Sequence, residues 1–61
     1  MVNDDDVWRS AKLYIQLHGE RAKAEAAIRS NELRETGDIE GATVWACVTN
    51  AIIELQTRTV Q

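Results

Sequence analysis

The stretch Glu35-Thr36-Gly37-Asp38-Ile39-Glu40-Gly41 decides how this chain folds. Upstream of it, residues 20 to 36 contain no Pro and no Gly. Downstream, Ala42-Thr43-Val44-Trp45 continues a second helical pattern. Glycine supplies the left-handed residue that ends a helix. Aspartate supplies the side-chain oxygen that caps the following one. Placed side by side, the two leave no room for a loop. The C-terminal two-thirds of the chain therefore predicts a tight helical hairpin.

Working outward, residues from about 39 to 57 carry one strong stripe: Val44, Trp45, Val48, Ala51, Ile52 and Leu55 recur at helical spacing. Ala46, Cys47 and Ile53 lie outside it, so this helix has apolar surface for more than one neighbour. Thr57 to Gln61 reads as a frayed end. The segment from about 20 to 36 is alanine-rich. Ala22, Ala26, Arg29 and Leu33 share a face that lets another helix come close, and Glu25 and Arg29 are spaced as an i,i+4 ion pair.

A further helix is expected from about Asp4 to His18. Asn3 can cap it, and Asp4, Asp5 and Asp6 complement the positive end of its dipole. Val7, Trp8, Ala11, Tyr14, Ile15 and His18 form its main stripe, with Leu13 and Leu17 on a neighbouring face. Gly19 reads as its C-terminal stop. The expected fold is thus all-α: one domain over residues 1–61, a small three-helix bundle whose second and third helices form the tight hairpin. Short connections favour antiparallel neighbours. The expected core is Trp8, Ile15, Ala26, Leu33, Trp45, Val48 and Ile52.

Composition narrows the function classes. The chain has 61 residues, 44% apolar and 28% charged, enough for a packed core and too apolar for full disorder. A core this small contributes no more than about 3–5 kcal/mol. One Cys excludes an internal disulfide, and one Cys with one His excludes a zinc-finger ligand set. Self-association is the remaining source of stability. The net charge of −3 disfavours non-specific nucleic-acid binding. No apolar run approaches the ~18 residues of a membrane span. The acidic start, Met1-Val2-Asn3-Asp4-Asp5-Asp6, does not read as a signal peptide. A cytoplasmic location is expected, and the lone thiol agrees with it.

No catalytic, metal or cofactor site is expected. His18 reads as a helix-end residue, because no other His or Cys is placed to complete a site. Cys47 lies in mid-helix between Ala46 and Val48, where it reads as a small half-buried apolar residue. Asp4-Asp5-Asp6 lacks the spacing of a calcium loop.

Asn31 to Val44 echoes two known helical patterns. Leu33-Arg34-Glu35-Thr36-Gly37 and Ala42-Thr43-Val44 are similar to the helix-turn-helix of DNA-binding repressors. Against it, one extra residue separates Gly37 from Thr43. Asp38 and Glu40 would face phosphate, and Trp45, Ala46 and Cys47 stand where base-reading side chains belong. Gly37 to Ala42 is also similar to the turn of a tetratricopeptide unit, but there is no second copy to stack upon.

Trp8, Ala11, His18-Gly19, Ala22, Ala26, Arg29, Leu33, Gly37-Asp38, Glu40-Gly41, Trp45, Ala51-Ile52 and Glu54-Leu55 together give a pattern spanning residues 7–55. In this pattern the chain resembles a family of short uncharacterised bacterial proteins. The resemblance implies a small all-helical cytoplasmic protein and brings no assigned activity.

The residues themselves favour a non-enzymatic protein–protein interaction module. A DNA-binding regulator of helix-turn-helix type is the alternative. The apolar arc of residues 4–18 is wider than one core needs. Trp8, Leu13, Tyr14, Leu17 and Ile53 are therefore the expected interface of a homodimer, beside a further protein partner.

Overall fold

The computed structural model describes residues 4–59. Among them helix is interrupted once, at Thr36-Gly37-Asp38. Asp4–His18, a single 3-10 turn Gly19–Arg21 and Ala22–Glu35 follow one another without a non-helical residue. We call these the N-terminal limb, the elbow and the middle limb. The C-terminal helix is Ile39–Thr59. There is no strand among the described residues.

The expected three-helix bundle is thereby corrected. The chain forms two uninterrupted helical segments, 4–35 and 39–59, not three separately bounded helices. Gly19 does take a left-handed φ of 59°, as a helix stop would. It turns the chain without releasing it from helical hydrogen bonding, and the Ala22 N–H donates back to the Gly19 carbonyl. The fold remains all-α. Asn3, expected as a cap, lies outside the described residues, as do Val60 and Gln61 of the expected frayed end. Thr57, Arg58 and Thr59 are helical.

At Gly37 the expectation holds in detail. Gly37 has a φ of 91°. Its N–H donates to the Arg34 carbonyl at 3.1 Å, and the Asp38 N–H donates to the Leu33 carbonyl at 2.8 Å. This is the paired closure of a Schellman end. At the same dipeptide Asp38 Oδ1 accepts from the Gly41 N–H at 2.9 Å, the N-cap bond of the next helix. Termination and initiation thus share two residues.

The middle limb and the C-terminal helix pack antiparallel. Near the turn, Ser30 Oγ donates to the Ala42 carbonyl at 2.8 Å, and this bond is buried. At the far end Gln56 Nε2 donates to the Gly19 carbonyl at 3.0 Å. The core between them is small-residue packing. Val7, Ala11, Ala22, Ala26, Val48, Ala51 and Ile52 are buried together, and Ile52 and Val48 are the largest side chains fully enclosed. Small side chains let helix axes come close, but each removes little apolar area from water. Of the expected core, Ala26, Val48 and Ile52 are buried. Trp8, Ile15, Leu33 and Trp45 are only half-buried.

The N-terminal limb lies against the hairpin. Val7 and Ala11 are its buried residues. Tyr14 sets its ring 4.9 Å from that of Trp45, tilted by 53°. Trp45 also receives Arg29, whose guanidinium carbon is 6.0 Å from the ring centroid. The expected Glu25–Arg29 pair is replaced by Arg21–Glu25 at 3.4 Å. Arg29 turns to the indole instead.

Candidate interaction surface

The surface that sequence reasoning assigns to an interface comes apart into four places. Leu13 and Leu17 are one helical turn apart on the N-terminal limb, and they are 52% and 65% exposed. At about 100° per residue both lie well away from the direction of buried Ala11. They share an outward stripe. Tyr14 is on the inward side and is engaged within the chain, between Trp45 and the His18 ring at 4.7 Å.

Trp8 is half-buried and lines an open groove of about 300 Å³ with Asp4, Val7, Cys47, Asn50, Ala51 and Glu54. Ile53 is 41% exposed and belongs to a different groove, lined by Lys23, Gln56 and Thr57. Its neighbours come from the middle limb and the C-terminal helix, so it is not continuous with Leu13 and Leu17 through that groove.

Two exposed apolar residues escape the sequence reading. Ile28 is 50% exposed and Ile39 is 61% exposed. Ile28 stands off the Ala22–Ala26–Arg29–Leu33 face, and that offset is a signal the spacing contains. Ile39 is the first residue after the Asp38 cap.

The groups with chemical potential are spread over this surface. Cys47 is exposed, not half-buried as expected. Its groove brings it Asp4, Trp8, Asn50 and Glu54, and none of these is a cation or base that activates a thiol. His18 is exposed and sets its ring against Tyr14. Among the described residues no three His, Cys, Asp or Glu side chains are grouped as a metal site requires. Among them, too, no helix is long and apolar enough to cross a membrane. No buried side-chain nitrogen or oxygen among them lacks a hydrogen-bond partner. The surface offers contact area: aliphatic side chains on an outward stripe, with polar neighbours.

The chain matches no protein-family model, no curated protein and no solved structure.

Proposed function

We propose that this chain is a non-enzymatic protein–protein interaction module that works in the cytoplasm as a homodimer. We also place it with the short bacterial helical proteins that it resembles in sequence. The observation that supports the reading best is the outward stripe of the N-terminal limb. Leu13 and Leu17 leave more than half of their surface in water, on a limb whose inner side already meets the core through Val7 and Ala11. Burying such area contributes about 25 cal/mol per Å². A domain this small has few other sources of stability.

The helix-turn-helix alternative meets a geometric objection. Such units set their two helices at about 90–120°. Here hydrogen bonds join the middle limb region and the C-terminal helix both beside the turn and at the far end, which fits an antiparallel pair. The net charge of −3 weighs the same way.

Sedimentation equilibrium tests the reading. A dimer at micromolar concentration is expected for the wild-type chain, and a monomer of unchanged helicity for Leu17→Glu. A wild-type chain that stays monomeric at that concentration contradicts the homodimer. A gel shift with mixed DNA is expected to give no complex, and a complex that weakens steeply with salt would reinstate the regulator.

A further inference from the structure

The geometry points to a second way for this chain to meet a copy of itself: exchange of N-terminal limbs by straightening at Gly19. The first observation is one of phase. Val7, Ala11, Tyr14, His18, Ala22, Ala26, Arg29 and Leu33 follow one another at intervals of three or four residues throughout. The stripe crosses the elbow without a slip, as it would in one continuous amphipathic helix. A straightened helix over residues 4–35 would therefore carry its core-facing residues on one face.

The second observation is the hinge. Gly19 holds a φ of 59°. Ala22 is helical at φ −56° and ψ −44°, while His18 (φ −118°, ψ −11°) and Arg21 (φ −90°, ψ 0°) lie at the shallow edge of the right-handed region. Moving Gly19 into the right-handed region, with smaller adjustments at His18 and Arg21, joins the two limbs into a single helix over residues 4–35. Nothing lies within 4 Å of where a Cβ on Gly19 would stand. The space on that side of Gly19 is open. The elbow is tied to the other segment by the bond from Gln56 Nε2 to the Gly19 carbonyl, and that bond is exposed.

Straightening withdraws Val7 and Ala11 from Val48, Ala51 and Ile52 of the same chain, with which they are buried. A second copy straightened in the same way offers the same three residues. The partner is thus a second copy of this chain, because its vacated face reproduces the contacts the limb gives up. This is a domain swap, and it needs no new surface. It does not use Leu13 or Leu17, so it goes beyond the pairing proposed above and stands or falls separately.

The test is made in the Leu17→Glu background, where pairing through the outer stripe is removed. Gly19→Ala disfavours the bent elbow and favours continuous helix. Each of the two hinges in a dimer shifts by roughly thirtyfold, and the dimer constant by about a thousandfold. A dimer at micromolar concentration is expected. X-ray scattering should show it to be longer than the monomer, whose greatest extent is 38 Å, since a straight helix over residues 4–35 spans about 48 Å. Synthetic protein with D-alanine at position 19 accepts the left-handed φ and should remain monomeric. A Gly19→Ala chain that is monomeric, or dimeric without elongation, overturns the proposal.

A second measurement leaves the hinge intact. Asp4 and Cys47 line one groove, so Asp4→Cys puts a second thiol in it, and a reducible thiol–thiol cross-linker can join it to the native one. Protein refolded at millimolar concentration, diluted and then cross-linked should give dimers that resist denaturant until reduced. Cross-links confined to single chains at every refolding concentration would also overturn it.

Discussion

The hairpin and the N-terminal limb are built by different means. In the hairpin, hydrogen bonds around Leu33, Arg34, Gly37 and Asp38 close one helix and open the next within three residues. Alanines at 22, 26, 42 and 51 are buried, and they bring its elements into close approach. The limb has no such local device. It meets the hairpin through Val7, Ala11 and the half-buried Trp8, Tyr14 and Ile15, and it leaves Leu13 and Leu17 in water. The hairpin is specified by punctuation and small residues, and the limb mainly by side-chain area, with the turn at Gly19 and one exposed bond from Gln56 beside it. A region of the second kind is the one a partner or a second copy can compete for.

Substitutions should separate the two regions by size of effect. Ile52 is fully buried where limb and hairpin meet. Ile52→Ala should lower stability by about 2–5 kcal/mol in denaturant titration, with both regions affected. Ala26→Leu, which inserts bulk at a fully buried position of the hairpin, should cost about 1–3 kcal/mol. Asp38→Ala removes the cap bond to Gly41. It should cost about 1 kcal/mol and be seen as a lower melting temperature of the hairpin. Leu13→Ser should leave monomer stability within about 0.5 kcal/mol, while weakening any dimer built on the outer stripe. An Asp38→Ala effect as large as that of Ile52→Ala would erase the distinction between local punctuation and packing.

The two regions also differ in how far the sequence discloses them. Gly37-Asp38 is legible because capping is chemistry between residues a few positions apart, and it needs no knowledge of the rest of the fold. Gly19 carries the same left-handed signal, yet it opens a 3-10 turn and not a loop. A glycine states that the chain turns, and it does not state whether helical bonding resumes at once. Hence the sequence predicts three helices where the chain forms two segments. The placement of the expected interface residues is legible only in part. Leu13 and Leu17 stand off the main stripe and are exposed as that offset implies. Tyr14 lies on the stripe and is taken up by Trp45 and His18. Spacing assigns Arg29 to Glu25, but the Trp45 ring from the other segment competes for it. Contacts between segments decide such cases, and spacing within one helix does not contain them.

The asymmetry itself can be measured residue by residue with native-state amide hydrogen exchange on the Leu17→Glu monomer. The slowest exchange is expected at residues 26–33 and 45–52, on both sides of the hairpin. Residues 7–15 should open at a markedly lower free energy, in an event that leaves the hairpin protected. Equal protection of limb and hairpin, lost in one cooperative step, would contradict the division between them.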